Sequence, residues 1–255
     1  MPVPRFDDVR HFDVVDSTNR YLLDEARAGA PDGVVAVADH QSAGRGRLGR
    51  RWEAPPGASL LVSVLLRPDV PPSDRYLVTA AVALAAAQAV ADETGVALGV
   101  KWPNDLLAPD GRKVAGVLAE AEGDSVVVGI GVNVAWPADD AELAGNGLED
   151  LTGRATSLAA LAGRPVPRDR LLAALLAALE PRVAALAGAA GRGELAAELR
   201  DACTTLGNRV RVDLADGPVE GTAIDLTPSG QLVVETAAGR QVVSAGDVTH
   251  LRTTG

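Results

Sequence analysis

The chain has 255 residues, of which 47% are hydrophobic and 23% are charged, which predicts one soluble globular domain with at most a small appendage. Its net charge of −10 argues against a surface that attracts nucleic acid, although one local basic site stays compatible with it. The single cysteine, Cys203, excludes an intramolecular disulfide and a multi-cysteine metal site. Because the sequence contains neither a run of 18 uncharged apolar residues nor a secretory signal pattern, we expect no membrane span and no export.

Strand and helix patterns mix over the first two hundred residues. Apolar runs and alternation predict strands at 11–15, 33–39, 59–68, 113–122 and 125–134, and residues 97–105 are predicted to be a strand that enters a turn. Apolar periodicity and capping residues predict helices at 19–29, 75–94, 168–187 and 193–204. Residues 138–165 are loop-like, with a weak helix pattern at 157–162.

The texture of the sequence changes after Leu206. Short alternating segments follow, separated by DG, SG and AG turns. This pattern predicts a small all-β unit, most simply an SH3-like barrel. We therefore predict two domains, at 1–205 and 206–255.

A loop rich in glycine and arginine stands out on this acidic chain. Residues 44–52 read GRGRLGRRW, with four arginines in seven residues. Glycine allows close approach of the backbone to a ligand, and clustered arginines favour a bound anion, most simply a phosphate. Two other interpretations stay open: a solvated basic loop without a role, and a lone contact to a nucleic acid. A P-loop is excluded, because GxxxxGK[ST] is absent.

The two lysines of the chain lie close together, at Lys101 and Lys113. An ammonium and a guanidinium are not interchangeable, so a lysine retained in an arginine-rich chain indicates a position that arginine cannot fill. Lys101 opens the segment KWPND, in which Asn104 and Asp105 form a turn. Lys113 begins a strand, and the alternation of that strand predicts that Lys113 and Gly116 lie on different faces of the sheet. The simpler interpretation of KWPND is a capped turn.

Two further segments carry weaker signals. Asp16-Ser17-Thr18-Asn19 is at least a helix N-cap, and it could also bind a polar head group. GIGVN at 129–133 ends a strand with small residues and one side-chain amide. This pattern is typical of a backbone that approaches a flat ligand. His11, His40 and His250 lack metal-site spacing and are assigned no role.

These segments occur in a fixed order: DSTN, Q-x-x-GRGRLGRxW, KWPND, KxAGxLxE, GIGVN and the small β unit. The order resembles that of the biotin protein ligases (biotin–[acetyl-CoA-carboxylase] ligases) over nearly the whole chain. The combination of GRGRxGRxW with KWPND is far more specific than either motif alone. The resemblance implies an α+β fold, with the mixed sheet of class II aminoacyl-tRNA synthetases and biotin synthetases and a C-terminal SH3-like barrel.

The resemblance also assigns the candidate site residues. Those expected to bind biotin are Ser17, Thr18, Asn19, Gln41, Arg45, Gly46, Arg47, Lys113 and Gly116. Those expected on the nucleotide side are Arg47, Arg50, Trp52, Lys101, Asn104, Gly131 and Asn133. Lys113, Arg47 and Asp105 are expected to act in catalysis. Lys113 would hold the biotin carboxylate and the α-phosphate together, while Asp105 would orient a cation or accept the proton of the attacking amine. No metal ligand is assigned.

The implied chemistry has two steps. Biotin and MgATP form biotinyl-5′-AMP, and a lysine of the biotin carboxyl carrier domain of a biotin-dependent carboxylase then attacks it. Both steps depend on positioning and electrostatic stabilisation. Because the catalytic pattern starts by residue 11, we expect a monofunctional ligase that does not bind DNA. We also expect it to be cytoplasmic and not to bind membranes.

Two competing functions remain. A lipoate–protein ligase shares the fold and the adenylation logic but lacks the pair of motifs GRGRxGRxW and KWPND. A catalytically inactive biotin sensor would not need Lys113 and the arginine loop.

Overall fold

The computed structural model describes residues 5–214 and 216–251, which form two β-sheets and six helices. The larger sheet has the order β1-β2-β3-β7-β6-β5-β4; β1 and β2 pair in parallel, and the other described neighbours are antiparallel. Its strands are β1 (Val9–Val15), β2 (Val35–Gln41), β3 (Ser59–Leu66), β4 (Gly99–Lys101), β5 (Asp105–Leu107), β6 (Lys113–Glu122) and β7 (Ser125–Asn133). The helices are α1 (Thr18–Arg27), α2 (Tyr76–Thr94), α3 (Asp140–Gly145), α4 (Leu158–Ala162), α5 (Arg168–Ala185) and α6 (Ala189–Ala202).

The two faces of the large sheet are covered differently. On one face, α1 packs Leu22 and Leu23 against Leu65 of β3 and Val127 of β7. On the other face, α2 lies in the main hydrophobic core with α5 and α6 behind it. The α1 face is only partly covered, because α1 is ten residues long. The uncovered part of this face forms the candidate site.

Helix α2 is long and apolar because it is a core helix. With the preceding turn it spans Pro72–Thr94, and by length and composition alone this segment could cross a membrane. Most of it is buried inside the protein, where an apolar core helix meets the same criterion. Its small side chains let the sheet and α5 approach it closely.

The C-terminal sheet is a five-stranded antiparallel unit with the order β11-β10-β9-β8-β12. Its strands are β8 (Arg209–Leu214), β9 (Gly217–Leu226), β10 (Leu232–Thr236), β11 (Gly239–Val243) and β12 (Asp247–His250). The predicted boundary at 205/206 falls between the end of α6 and the start of β8. Two polar contacts across this connection, Thr204 N to Val100 O and Trp102 N to Thr205 Oγ1, join it to the large sheet.

Two helical segments differ from the sequence-based prediction. Helix α6 begins at Ala189 rather than at 193. Its first turn contains Gly191, where a Cβ would be 2.3 Å from the carbonyl oxygen of Ala185 in α5, so that a glycine is needed there. Glycine is a poor helix former, so the pattern underestimated the helix there. Helix α3 lies in the stretch that the sequence analysis described as loop-like, and it is capped by Asp139, whose side chain accepts from Glu142 N.

Candidate active site

A cavity opens on the α1 face of the large sheet, next to the N-terminus of α1. Its wall combines the helix N-terminus, the end of β2, the arginine loop and the middle of β6 and β7. The lining residues are Ser17, Thr18, Asn19, Gln41, Arg45, Trp52, Val62, Gly116, Leu118, Gly129, Ile130 and Gly131. Eight of these twelve are residues that the sequence analysis assigned to biotin or the nucleotide.

The polar end of the cavity is built around the first turn of α1. Ser17 caps the helix, and its side chain accepts from Arg20 N. Gln41 Oε1 accepts from the backbone N–H of Thr18 at 2.8 Å and lies 3.0 Å from the Thr18 hydroxyl oxygen. Because both contacts use the oxygen of Gln41, its amide nitrogen remains available to a ligand.

Asn19 ties this helix end to two strands. Its Nδ2 donates to Leu118 O at 3.1 Å and to Glu120 Oε2 at 2.9 Å, and its Oδ1 lies 2.6 Å from the hydroxyl of Ser63. A Cβ on Gly129 would lie 2.1 Å from Asn19 Oδ1. The first glycine of GIGVN is therefore needed because Asn19 occupies the space beside it.

Trp52 lies over the glycines in the middle of the sheet. A Cβ on Gly131 would come within 2.5 Å of its indole ring, and one on Gly116 within 3.2 Å. Gly116 and Gly131 are paired across β6 and β7, so together they form a flat patch of backbone. Trp52 Nε1 is buried without a hydrogen-bond partner among the described residues, which leaves one donor at the site.

The arginine loop is ordered by contacts at each of its ends. Arg45 pairs with Arg51 in an isolated bridge, and Gly46 N donates to Arg50 O at 2.7 Å, which closes the loop on itself. At its tip Leu48 has a φ of 56° and is 70% exposed. A leucine in the left-handed region is uncommon, and the turn around Leu48 is closed by the hydrogen bond from Arg50 N to Arg47 O at 3.1 Å.

Two arginines of the loop contact the C-terminal sheet. Arg47 donates to Asn104 Oδ1 at 3.0 Å and to Gly246 O at 3.1 Å. Arg50 forms an ion pair with Asp247, and this contact raises the pKa of the Arg50 guanidinium. The loop thus bridges KWPND and the β11–β12 turn, which sequence spacing did not indicate.

Lys113 lies at the end of the cavity beside Trp52. Its Nζ is 2.7 Å from Asp105 Oδ1 and 5.7 Å from the centre of the Trp52 ring. Strand alternation placed Lys113 and Gly116 on opposite faces, but the Lys113 ammonium lies only 3.0 Å from where a Cβ of Gly116 would be. That expectation was wrong because Lys113 is the first residue of β6, beside a register shift in the pairing with β5.

The nucleotide-side candidates surround this ammonium. Lys101 faces Asp105 across β4 and β5, and burial lowers the pKa of its ammonium although Asp105 and Asp247 oppose the shift. Burial, and secondarily Lys101, lowers the pKa of His250. Asn133 donates through Nδ2 to Thr156 O at 3.0 Å. The structure thus brings together Lys101 of KWPND, Lys113 at the start of β6 and Asn133 at the end of β7.

The segment at 154–156 was not connected to any motif in the sequence analysis. It runs beside the start of β6, where Lys113 N donates to Arg154 O at 2.7 Å and Thr156 N donates to Lys113 O at 3.0 Å. Trp136, Leu143 and Ala155 form a small apolar cluster behind it. The stretch therefore supports the backbone of Lys113.

Sequence reasoning missed several residues of the site. Leu118 and Glu120 belong to the motif KxAGxLxE, and Gly129 to GIGVN, so a signal existed for these three. Val62 and Ser63 lie in an apolar strand without any distinguishing pattern. Gly246 and Asp247 reach the site only through the packing of the two sheets.

The fold described above is shared with the protein ligases that act with biotin or lipoate. A family model described as the biotin/lipoate A/B protein ligase family matches residues 11–135, and one described as the biotin protein ligase C-terminal domain matches residues 205–251. The chain is 41% identical over 252 residues to the biotin–[acetyl-CoA-carboxylase] ligase of Mycobacterium tuberculosis, covering 95% of this chain and 90% of that one.

Two further proteins narrow the comparison. The chain is 32% identical to the biotin–[acetyl-CoA-carboxylase] ligase of Paracoccus denitrificans, over 91% of this chain and 96% of that one. It also matches the structure of the biotin protein ligase of Aquifex aeolicus in complex with biotin and ATP, with a TM-score of 0.82, 27% identity, and coverage of 97% and 100%. The chain therefore belongs to the biotin protein ligase family and is a ligase, and the predicted fold class is confirmed.

Proposed function

We propose that this protein activates biotin with ATP to biotinyl-5′-AMP and transfers the biotinyl group to a lysine of a biotin carboxyl carrier protein. The acceptor would belong to acetyl-CoA carboxylase or a related carboxylase. The observation that carries the proposal is one cavity with hydrogen-bonding groups at its α1 end, together with the Lys113 ammonium beside Gly116 and Trp52 in its wall. An acid bound with its head group at α1 would present its carboxylate to a cation.

The head-group end suits the ureido ring of biotin. The Thr18 hydroxyl and the Gln41 amide are polar groups whose partners are already set, so their orientation costs little when a ligand binds. Ser17 and Asn19 extend the polar surface, and Gly116 leaves space for the ligand beside its backbone. Arg45 lines the same cavity at the loop side, near the expected tail of biotin.

In the first step a biotin carboxylate oxygen attacks the α-phosphorus of ATP, and the bond from that phosphorus to pyrophosphate breaks. Two anions must approach each other, so a cation between them lowers the barrier. Lys113 is the residue that we assign to this role, with Arg47 and Arg50 neutralising the phosphates. Gly46 allows the backbone of the loop to come close to them.

The nucleotide would lie beside Trp52, whose ring covers the flat patch of Gly116 and Gly131. Gly131 and Asn133 follow β7 away from the head-group end, and Lys101 and Asn104 approach from β4 and the turn after it. The unpartnered Nε1 of Trp52 is a donor that a bound nucleotide could use.

Magnesium would accompany the triphosphate. Lys113 engages Oδ1 of Asp105 and leaves Oδ2 available, and Mg²⁺ is commonly held by one or two carboxylates together with phosphate oxygens and water. The residues present therefore fit the ion, whose contribution would be to neutralise phosphate charge. In the described residues no group of three histidine, cysteine or acidic side chains forms a dedicated metal site.

In the second step the amine of the carrier lysine attacks the carbonyl carbon of the adenylate, and AMP leaves. Asp105 lies 2.7 Å from Lys113, which supports the role of orienting that cation over the role of proton acceptor. The arginine loop would keep water from the adenylate until the carrier arrives. The ligase would act in the cytoplasm, and its net charge of −10 disfavours binding to DNA.

ATP–pyrophosphate exchange with Mg²⁺ tests this proposal. Exchange should depend on biotin and be absent with lipoate or without an acid. Exchange with lipoate alone would indicate a lipoate ligase, and biotin binding without any exchange would indicate a sensor. The acceptor is then tested with a purified carrier domain, whose mass should increase by one biotinyl group unless its target lysine is replaced.

The ion pair between Arg50 and Asp247 leads to a prediction about ATP affinity. Asp247→Asn should lower the KM for ATP about fivefold, because the Asp247 carboxylate competes with phosphate for Arg50. The change is limited because an exposed ion pair contributes at most about 1 kcal/mol. Glu235→Gln is the matched control, since Glu235 pairs with Arg240 at the surface of the same sheet, and two strands separate β10 from β12. A higher KM for ATP in Asp247→Asn would mean that Asp247 holds Arg50 ready for phosphate instead.

A further inference from the structure

Glu120 is the acidic residue that ends the motif KxAGxLxE, and the functions assigned above give it no part. Its carboxylate contacts two parts of the site at once. Oε2 accepts from Asn19 Nδ2 at 2.9 Å, and Oε1 lies 3.0 Å from Arg45 Nη1. We propose that Glu120 is a positioning residue that couples the head-group end of the cavity to the arginine loop.

The location of Glu120 on β6 supports this role. Alternate residues of the strand face the α1 side, so that Gly116 and Leu118 line the cavity and Glu120 follows at its rim. The side chain of Glu120 is 21% exposed, whereas that of Arg45 is 51% exposed. Glu120 is thus held by the strand, while Arg45 belongs to a loop and depends on its partner for its position.

A carboxylate is needed at this position because it only accepts hydrogen bonds. Asn19 Nδ2 donates to Leu118 O and to Glu120, so the Asn19 amide cannot turn around. Asn19 Oδ1 then accepts the single hydroxyl proton of Ser63, whose Oγ lies 2.6 Å away. Glu120 and the Leu118 carbonyl together therefore determine which atom of Asn19 faces the polar end of the cavity.

The effect of Asn19 continues to the side chains that would contact the ligand. Ser63 Oγ also lies 2.7 Å from Thr18 Oγ1, which in turn lies 3.0 Å from Gln41 Oε1. With the Ser63 proton directed to Asn19, the Thr18 hydroxyl donates to Ser63, and Gln41 Oε1 is joined to Thr18 through the backbone N–H. The chain of hydrogen bonds thus runs from Gln41 to Glu120 and ends at Arg45 of the loop.

This inference rests on the proposed function, since it assigns the polar end of the cavity to biotin. Its consequence is that biotin binding and ordering of the arginine loop are linked through one carboxylate. A ligand that immobilises the side chains from Gln41 to Asn19 also immobilises Glu120, which forms the ion pair with Arg45. Loss of the carboxylate should weaken biotin binding and separate it from loop ordering.

Three variants test the coupling. Glu120→Gln keeps an oxygen that can accept from Asn19 but removes the charge that holds Arg45, and it should raise the KM for biotin about fivefold. Glu120→Ala removes both contacts and should raise it at least tenfold, on the order of one lost charged hydrogen bond. The KM for ATP should change less than twofold in both variants. Glu122→Gln is the matched control, because Glu122 lies two residues further on β6 and pairs with Arg27 at the surface.

Limited trypsin digestion gives an independent measurement, because Arg45, Arg47, Arg50 and Arg51 are cleavage sites within the loop. Biotin should protect the loop in the wild type and in Glu122→Gln but not in Glu120→Gln. Arg45→Gln should also lose protection, and Glu120→Gln in that background should have little further effect. This exposed substitution tests the same link should Glu120→Ala fail to fold.

The outcomes separate the inference from the proposed function. If the wild type shows no biotin-dependent exchange, the proposed function fails whatever the variants do. If the wild type is active and both Glu120 variants match Glu122→Gln in KM and in protection, the coupling is wrong. Equal rises in the KM for biotin and for ATP would also overturn it, because they would indicate a general structural defect.

Discussion

Replacement of Lys113 with alanine is expected to reduce biotin-dependent ATP–pyrophosphate exchange by about 10²- to 10³-fold, the loss typical of one preorganised charge contact in a transition state. The Lys113 ammonium lies at the end of the cavity, beside Gly116 and Trp52, where the two anions would meet. Because the head-group contacts lie at the opposite end, the KM for biotin should change far less than kcat. Steady-state exchange at saturating ATP measures both.

Two controls accompany this variant. Arg112→Ala removes the neighbouring cation, which pairs with Asp110 at the surface, and it should leave exchange unchanged. Lys113→Arg keeps the charge but replaces a compact ammonium with a planar fork, so it should recover only a small part of the rate. If Lys113→Ala retains more than a tenth of the wild-type rate, Lys113 is not the residue that stabilises the developing charge.

Replacement of Trp102 with alanine is expected to destabilise the protein by about 3–5 kcal/mol, as is usual when a large aromatic side chain is removed from a core. Trp102 is 1% exposed, and its indole N–H donates to Gly230 O in the C-terminal sheet at 3.0 Å. Tyr76 packs beside it with ring centres 6.2 Å apart and donates to Pro103 O. Urea unfolding followed by circular dichroism measures the change.

Conservative variants separate packing from hydrogen bonding at this position. Trp102→Phe keeps most of the volume but leaves Gly230 O without its donor, so it should cost about 1–3 kcal/mol. Trp52→Phe should change the free energy of unfolding much less, because Trp52 is only half-buried. A loss below about 1 kcal/mol in Trp102→Ala would show that the two sheets are joined mainly by other contacts.

The role of Trp102 shows a limit of reading motifs. The sequence analysis described KWPND as a turn opened by Lys101 and gave Trp102 no role of its own. The structure places its ring in the core and its N–H against the other sheet. Lys101, Asn104 and Asp105 point toward the site because Trp102 anchors their turn. One motif thus serves both stability and the site.

Most of the elements and much of the cavity lining were predictable from local sequence. Strand β6 occupies the residues predicted for it, and the apolar runs of β3 and α2 lie within one or two residues of their expected bounds. The predicted head-group residues Ser17, Thr18, Asn19 and Gln41 do line one cavity. Alternation failed at Lys113 because a bulge in the β5–β6 pairing interrupts the period of two.

The sequence by itself determined the family, the chemical types of the site residues and the order of the elements, because motif spacing and hydrophobic period are local properties of the chain. Only the tertiary structure decided which groups meet. Arg50 is paired with Asp247 across 197 residues, and Asn19 with Glu120 across 101. Such contacts depend on how two sheets and a helix pack, and nothing in the spacing of their residues along the chain encodes that distance.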